Sequence, residues 1–208
     1  MGALIRPLPQ NRIRDAIAVL SNAFVDDPIF NHFFPDPNDR SRVFALFFND
    51  LIRANLRFGH VYCALDGENI IGAAVWRPPE AGEPSRIDRI RSQRTGRRIG
   101  RISNNAAAEV FAGFAQLEAC HPSRPHWYLM FIGVERQCRA MHVGSSLMRP
   151  VLSLADRKRE PCYLETPFPE TRAFYQKQGF EMTRTSHPFR GAPAIWAMTR
   201  EPGTGPKV

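Results

Sequence analysis

Several marks of other protein classes are absent from this sequence. No apolar run approaches the length of a membrane span, and the N-terminal MGALIRPLPQ lacks the apolar core of a signal peptide. The four cysteines show neither CxxC pairing nor the histidine spacing of a zinc site. From these absences we expect a cytoplasmic protein with free thiols, no metal ion and no membrane contact.

Support for nucleic-acid binding is also thin, although the formal net charge is +8. Much of that charge lies in RIDRIRSQRTGRRIGR, residues 86–101, where no aromatic residue interleaves with the arginines. We interpret the segment as a solvated helix face or a loop. Contact with a ligand's phosphates or an acidic partner is one alternative, and nucleic acid is another that we do not expect.

The composition is that of one ordinary globular domain: 208 residues, of which 43% are hydrophobic and 23% charged. Apolar periodicity predicts the element order β-α-α-β-β-α-β-α-β-α-β-β. Pro, Asp and Phe crowd residues 25–37, which we interpret as a loop, and residues 78–84 start a linker. Six of the seven predicted strands have stated positions, 4–8, 61–65, 70–77, 127–134, 162–166 and one from residue 180, and the seventh follows it. The predicted helices are 12–24, 42–58, 104–119, 171–178 and one from residue 143.

The first informative stretch is WYLMFIGVERQCRAMHVGSSLM, residues 127–148. It predicts a buried strand, a polar loop and then a helix that begins near Val143. A helix N-terminus that follows a strand offers unpaired backbone N–H groups and a positive dipole end, which suit a pyrophosphate. Three residues add to this anion site: Gly144 by close backbone approach, Ser145 by a hydroxyl donor and Arg139 by its charge.

The second stretch is YLETPFPETRAFYQKQGF, residues 163–180. It predicts a short strand, a loop and a helix that ends at Gly179, a usual C-terminal cap. Phe180 then starts a further strand. Each stretch alone is an ordinary strand and helix, so the information lies in their order along the chain.

Together the two stretches resemble motifs A and B of the GNAT N-acetyltransferase superfamily. Motif A has the signature Gln/Arg-x-x-Gly-x-Gly/Ala, whose three defined positions hold Arg139, His142 and Gly144 here. Motif B runs from a strand through a helix with Phe-Tyr to Gly-Phe, and this pattern is found at 174–175 and 179–180.

The sequence departs from the family pattern at four positions. His142 and Ala140 stand where the family commonly has glycine, and Arg136 where it has proline. Thr171 stands where many members have an asparagine that contacts the cofactor. The backbone amides of residues 141–145 are still expected to face the pyrophosphate, because an amide does not depend on its side chain.

The resemblance implies the fold class and the division of the chain. The fold is α/β (α+β): a single GNAT-like domain, 1–208, whose mixed, mostly antiparallel sheet is flanked by helices and whose splayed strand pair binds CoA. Residues 1–80 form the acceptor-side half, 81–103 a basic linker, 104–200 the CoA-binding half and 201–208 a tail. Members often dimerise, so a homodimer is expected.

The implied reaction is acetyl transfer from acetyl-CoA to a primary amine by direct attack in a ternary complex. A small-molecule amine, such as an antibiotic or a related metabolite, is the preferred acceptor. LET at 164–166 and IWAMTREPG from Ile195 are similar to antibiotic-acetylating members, puromycin acetyltransferase among them. A protein or peptide amine is an alternative acceptor. A degenerate fold that binds acyl-CoA or a partner without turnover is the other alternative.

Three residues are candidates for catalysis. Tyr175 occupies the family position of the acid that protonates the departing thiolate, with a packing aromatic as the alternative. Glu165, on the strand that faces motif A, and His126, just ahead of motif A, are candidate bases for the amine. The alternative for Glu165 is a carboxylate that is hydrogen-bonded to a neighbouring loop, and the alternative for His126 is a residue that caps the strand. We interpret His121 as a loop residue.

The family places an oxyanion donor on the backbone of the motif A strand. Here that position falls at Ile132 to Val134, and Gly133 is expected to mark the bulge that splays this strand from the next. The full set expected to contact acetyl-CoA is Ile132, Gly133, Val134, Arg139, Ala140, Met141, His142, Val143, Gly144, Ser145, Thr171, Phe174 and Lys177.

The acceptor is expected at the first two helices and the loop between them, as in the family. This region carries Phe24, Phe30 and Phe33. It also carries Asp26 and Asp27, and aromatic walls with a carboxylate suit a cationic amine that has an apolar body. The alternative is that the phenylalanines are core residues and the aspartates cap a helix.

Overall fold

Within residues 2–82, 84–102 and 106–205, which the computed structural model describes, seven strands form one sheet in the order β1-β2-β3-β4-β5-β7-β6. Neighbouring strands are antiparallel except β4 and β5, which run parallel, so the predicted mixed and mostly antiparallel sheet is confirmed. The strands are β1 (Leu4–Pro7), β2 (Val61–Asp66), β3 (Asn69–Arg77), β4 (Trp127–Val134), β5 (Cys162–Thr166), β6 (Glu181–Ser186) and β7 (Ile195–Arg200). The helices are α1 (Ile13–Ala23), α2 (Pro28–Phe33), α3 (Pro37–Asn55), α4 (Arg86–Ile102), α5 (Ala106–Glu118), α6 (Val143–Lys158) and α7 (Pro169–Lys177).

The predicted elements are present in the predicted order, and α2 and α4 are added to them. α2 lies in the segment 25–37, where the prediction of a loop is wrong. Its start is fixed by Asp27, whose Oδ1 accepts hydrogen bonds from the N–H groups of Ile29 (2.9 Å) and Phe30 (3.0 Å). Pro28 occupies the first helical position, where its missing N–H costs nothing.

A second Asp-Pro pair starts α3. Asp36 Oδ1 accepts a hydrogen bond from the N–H of Asn38 at 2.7 Å, and Pro37 is the first helical residue. The helix therefore begins at Pro37 and not at residue 42. Both Asp-Pro pairs lie in the segment interpreted from the sequence as a loop, whereas each of them begins a helix.

The basic segment 86–101 was expected to be either a helix or a loop. It lies within the helix α4. α4 packs along α3 and α5, and the α4–α5 pair is inserted between β3 and β4. Residues 104 and 105, the first two of the next predicted helix, lie outside the described residues. None of the helices in the described ranges is long and apolar enough to cross a membrane.

Two apolar cores lie on opposite faces of the sheet. Under α1 and α3, the fully buried Phe48 contacts the rings of Phe24, Phe30 and Phe131. Under α6, Trp127 is fully buried in the second core. Burying one large apolar side chain stabilises the fold by about 1.5–3 kcal/mol, so both faces hold their helices firmly.

β4 and β5 pair over a short stretch only, from Trp127 opposite Cys162 to Leu129 opposite Leu164. β4 then continues to Val134 without pairing to β5, and this is the splayed strand pair that the sequence predicts. The opening between the two strands lies at the C-terminal end of β4, where the chain turns toward α6.

The bulge in β4 lies at Met130, so its prediction at Gly133 is wrong. The register between β3 and β4 skips Met130, whereas Gly133 is in register with Ala73. Gly133 has a different reason to be small, because a Cβ atom there would lie 2.7 Å from the Cβ of Ala23. This glycine lets α1 approach the sheet beside the opening.

Candidate active site

The opening between β4 and β5 presents backbone groups of β4 that β5 does not pair. The N–H of Glu135 donates to the carbonyl of Ile71 in β3 at 2.9 Å. Because the backbone groups of a strand point alternately to its two neighbours, the N–H of Gly133 also faces β3. The N–H groups of Ile132 and Val134 therefore face the opening, where an oxyanion donor is expected.

The loop between β4 and α6 turns at two residues in the left-handed conformation, Ala140 (φ 64°) and His142 (φ 58°). These are the two positions at which motif A commonly has glycine. A residue with a Cβ atom adopts this conformation at a cost of about 1–2 kcal/mol. The chain thus has glycine-type turns without the glycines. The side chain of His142 is exposed at the N-cap of α6.

α6 begins directly after this loop with unpaired backbone donors. The N–H of Ser146 donates to the carbonyl of His142 at 3.0 Å, which leaves the N–H groups of residues 143–145 without an acceptor inside the helix. Val143 is buried, whereas Met141 is 62% exposed. Such a helix start, with the positive end of its dipole, is suited to a phosphate group.

α7 packs against the start of α6. A Cβ atom on Gly144 would lie 3.1 Å from the ring of Phe174, so the glycine is what lets the two helices meet. Gln178 Nε2 donates to the Ser145 hydroxyl at 3.2 Å. The structure therefore brings together Gly144, Ser145 and Phe174, while Lys177 lies exposed at the end of α7.

Thr171 lies in the first turn of α7. Its hydroxyl lies 2.7 Å from that of Thr166 and donates to the carbonyl of Phe168 at 2.9 Å. These bonds fix the junction between β5 and α7. Contact between Thr171 and the cofactor, which the family position implies, stays a prediction.

The motif A loop is tied to the C-terminal end of α1. Arg139 Nη2 donates to the carbonyl of Ala23 at 3.3 Å, where a guanidinium meets the negative end of the helix dipole. Asn22 Nδ2 donates to Glu135 Oε1 at 3.2 Å in the same region. The cationic side chain of Arg139 is thus held beside the loop by α1.

Glu165 is buried on β5 between two tyrosines. Its Oε2 accepts from the Tyr128 hydroxyl at 2.8 Å, and its Oε1 accepts from the Tyr163 hydroxyl at 2.9 Å. Burial raises the pKa of Glu165 to about 7, although the two tyrosine hydrogen bonds oppose the rise. A carboxyl with this pKa can both accept and release a proton near neutral pH.

His121 and His126 connect Glu165 to the protein surface. His121 Nε2 lies 3.6 Å from Glu165 Oε1, and His121 Nδ1 lies 3.2 Å from His126 Nε2. His126 Nδ1 lies 2.9 Å from the carbonyl of Arg124, which only accepts, so this nitrogen carries the proton. Burial, the neighbouring His126 and a nearby arginine lower the pKa of His121 to about 4, which keeps its ring neutral. Within the described part of the chain, no three His, Cys, Asp or Glu side chains are grouped to hold a metal ion.

The sequence indicated Glu165 and His126 as candidate bases. It did not indicate their three partners, which are Tyr128, Tyr163 and His121. Tyr163 and Glu165 alternate on one strand, so they share a face of the sheet. The parallel register sets Tyr128 beside Tyr163. That signal was readable once the two strands were recognised as neighbours. No pattern around His121 shows that its loop folds back onto β5.

Tyr175 lies in the core beneath α6, where its ring contacts those of Phe174 and Phe180. Burial raises its pKa well above that of a free tyrosine. Both tyrosine and phenylalanine of motif B are therefore involved in packing, with Phe174 the more exposed of the two. The acid role of Tyr175 stays a prediction.

The five residues expected to bind the acceptor have structural contacts. Phe24, Phe30 and Phe33 belong to the aromatic core under α1 and α3. Asp27 caps α2, and burial raises its pKa to about 6. Asp26 forms an exposed ion pair with Arg136. Substrate binding by these residues stays a prediction, whereas the core and capping roles are observed.

Comparisons with known proteins bear on this geometry. The model of the Acetyltransferase (GNAT) family matches residues 24–180. Among solved structures, the histone acetyltransferase HPA2 and related acetyltransferase from Corynebacterium glutamicum has a TM-score of 0.70 and 25% identity, over 100% of this chain and 98% of that one. Arylalkylamine N-acetyltransferase 2 from Aedes aegypti has a TM-score of 0.64 and 12% identity, over 96% and 98% of the two chains. Polyamine N-acetyltransferase from Drosophila melanogaster has a TM-score of 0.59 and 14% identity, over 96% and 99%.

One curated relative has a different kind of name. A probable serine/threonine-protein kinase from Dictyostelium discoideum is 25% identical over 222 residues, which cover 94% of this chain. The chain spans only 23% of that protein's length. Because the match covers so little of that protein, its kinase activity is not carried over to this chain.

Proposed function

Since this chain belongs to the GNAT family of acetyltransferases, we propose that it transfers an acetyl group from acetyl-CoA to the primary amine of a small molecule. One observation carries the proposal: the buried carboxyl of Glu165 lies on β5, the strand that parts from β4 at the opening. A group able to take a proton near neutral pH thus stands beside backbone donors suited to a developing oxyanion.

The residues around the start of α6 fit acetyl-CoA. Backbone N–H groups at 143–145 and the charge of Arg139 would hold the pyrophosphate. The unpaired N–H groups at the start of α6 support the fit, and Gly144 lets Phe174 of α7 pack beside them. Bound acetyl-CoA would supply the activated acetyl thioester.

Glu165 is the proposed base. An alkyl ammonium loses its proton only at about pH 10, so the attacking amine needs an acceptor for its proton. The pKa of Glu165 is about 7, so its carboxyl is ionised above that pH and can take up a proton. It would take the proton from the amine directly or through a water molecule. The proton would then pass from Glu165 to His121 Nε2, and from His121 Nδ1 toward His126.

The backbone of β4 and the hydroxyl of Tyr175 complete the proposed machinery. The N–H groups of Ile132 and Val134 would stabilise negative charge on the acyl oxygen. Tyr175 Oη would donate a proton to the leaving group. Burial raises the pKa of Tyr175 above its ordinary value, so the hydroxyl still carries its proton at neutral pH when the thiolate forms.

Calorimetry with acetyl-CoA, followed by thiol release against a panel of amines, tests the proposal. The panel contains puromycin-like aminonucleosides, alkyl amines and a peptide with a free N-terminus. We expect acetyl-CoA to bind and at least one small amine to be turned over. A protein that binds no acetyl-CoA would overturn the proposal. Turnover of the peptide alone would overturn the small-molecule acceptor.

Tyr175→Phe separates an enzyme from a fold that only binds acyl-CoA. The enzyme should keep acetyl-CoA binding and lose turnover, because the phenyl ring packs alike but has no proton to donate. Full turnover in this variant would refute the acid role. Turnover by neither protein, with acetyl-CoA bound, favours the non-catalytic alternative.

A cytoplasmic location and a homodimer belong to the same proposal. The four cysteines are free, which fits a reducing compartment. Sedimentation of the purified protein tests the dimer. Nucleic acid is not a proposed partner, and gel-shift assays at two ionic strengths would reveal salt-sensitive binding through α4.

A further inference from the structure

A cavity of about 260 Å³ lies between α3 and the inserted helix α4. Its volume is close to the lower end of the range for small-molecule sites, about 300 Å³. Most of its wall is apolar, so it suits a ligand with a hydrocarbon or aromatic segment. The apolar lining is Phe47, Leu51, Ala54, Phe58, Ile99 and Met130.

Asp50 lines this cavity with an unused acceptor. Its Oδ1 is buried and has no hydrogen-bond partner within the described residues. The nearest cation to Oδ1 is Arg91 Nε at 3.8 Å, and Arg91 lies closer to Asp88, at 3.3 Å. A buried carboxylate oxygen without a donor is costly, so a ligand that brings a donor would be favoured.

The other charged groups of the cavity already have partners. Asp88 accepts from Arg57 and, at 2.5 Å, from the hydroxyl of Ser85. Arg77 donates to the carbonyl of Gly82 at 2.7 Å. The unpaired acceptor that a ligand meets in the cavity is therefore Asp50 Oδ1. A cation or a neutral N–H group on the ligand could bind it.

The cavity borders the strand that carries the partner of Glu165. Arg77 lines the cavity and is in register with Tyr128 of β4, and Tyr128 donates to Glu165. Met130, the bulged residue of β4, forms another part of the wall. A molecule in the cavity thus reaches the same face of the sheet, next to the Glu165 cluster.

We propose that this cavity is the acceptor pocket and that the acceptor carries a second nitrogen, held as an ammonium by Asp50. The acceptor class is a diamine whose two nitrogens are separated by an apolar segment. One nitrogen is presented toward Glu165 for acetylation, while the segment between them fills the space between α3 and α4. The inference rests on the proposed function and names the substrate class for it.

Binding of a matched pair of amines tests the pocket. Cadaverine and n-pentylamine share a chain and differ by one nitrogen, and calorimetry in the presence of free CoA measures both without turnover. Wild-type protein should bind cadaverine about tenfold or more tightly than n-pentylamine, as expected for a hydrogen bond to a charged group. In Asp50→Asn this preference should vanish, with unchanged affinity for acetyl-CoA.

Two variants control the test. Asp39→Asn alters an exposed carboxylate on the same helix and should bind both amines as the wild type does. Ala54→Leu fills the cavity and should weaken both amines alike, and a melting curve confirms that each variant is folded. Equal affinity of the wild type for the two amines, a preference that survives in Asp50→Asn, or no cadaverine binding at all would overturn the pocket. If the wild type prefers cadaverine through Asp50 but neither binds acetyl-CoA nor turns over any amine, the pocket stands and the proposed function is refuted.

Discussion

At the residue scale, Ala140 and His142 have positive φ angles in a turn that glycine adopts without a Cβ penalty. The sequence identified both positions, because a resemblance aligns residues even where their identities differ. It did not reveal their backbone conformation, since nothing in RAMHVG distinguishes a strained alanine from a relaxed one. The strain is visible only in the folded chain.

Ala140→Gly should raise the free energy of unfolding by about 1 kcal/mol, because glycine relieves the left-handed strain. Ala173→Gly is the matched control. Ala173 is an exposed residue of α7 in an ordinary helical conformation, and its replacement should lower the free energy of unfolding by about 1 kcal/mol. Urea denaturation of both variants measures the difference. Equal losses at the two sites would contradict the assignment of strain to Ala140.

Glu165 should give the reaction a pH dependence of definite sign. With a pKa of about 7 the carboxyl is protonated in acid and becomes a base as the pH rises. kcat/KM should therefore increase with pH up to neutrality and level off above it. Glu165→Gln should lower kcat/KM about 10²-fold or more and abolish that inflection. Glu170→Gln, at an exposed carboxylate of α7, should keep the wild-type profile, and the base role fails if the Glu165 variant keeps it too.

At the element scale, the strands and the helices other than α2 and α4 were predictable from periodicity, whereas helix starts were not. Asp27-Pro28 and Asp36-Pro37 resemble breakers in a Phe-rich loop, yet the aspartates cap α2 and α3. The same residues serve turns and helix starts, so only the packing of the next few side chains decides between them. The buried side chains of Phe30 and Phe33 make α2 a helix here.

Gly133→Ala should loosen the packing of α1 on the sheet. Its new Cβ atom would lie 2.7 Å from the Cβ of Ala23, and we expect a loss of about 1–3 kcal/mol in the free energy of unfolding. The double variant with Ala23→Gly should recover part of that loss. Gly205→Ala, which has open space, should be neutral, and thermal denaturation compares all three. No recovery in the double variant would refute the clash.

At the scale of the whole molecule, the two faces of the sheet carry different parts of the candidate site. The proposed pyrophosphate donors start α6 on one face, and the Glu165 cluster and the cavity lie on the other. Motif order in the sequence predicted the first part, because both motifs are local. The second part draws on residues from distant segments, such as His121 beside Tyr128 and Asp50 in the cavity wall, and single-sequence patterns do not encode which segments meet.

Acetyl-CoA should stabilise the whole fold if these parts form one site. A ligand at 100 times its Kd adds about 2.7 kcal/mol to the free energy of unfolding. The melting temperature should therefore rise with acetyl-CoA concentration, and it should rise less in Arg139→Ala at the same concentration. Arg157→Ala, at an exposed arginine near the far end of α6, serves as the matched loss of charge. An unchanged melting temperature in the wild type would contradict binding to the folded state.

The bulge at Met130 divides β4 into two halves, and the alternation of odd-numbered and even-numbered side chains between the two faces of the sheet reverses from one half to the other. Before it, even-numbered side chains such as Tyr128 lie on the face of the Glu165 cluster; after it, even-numbered Ile132 lies on the face of α6. If Met130 instead paired one-to-one with β3, every later residue of β4 would shift by one position and its side chain would change face. Gly133 would then leave α1, and the amides that line the opening would exchange places with those bound to β3. Met130, which has no partner in β3, therefore keeps the residues on both sides of the bulge on the faces that the site requires.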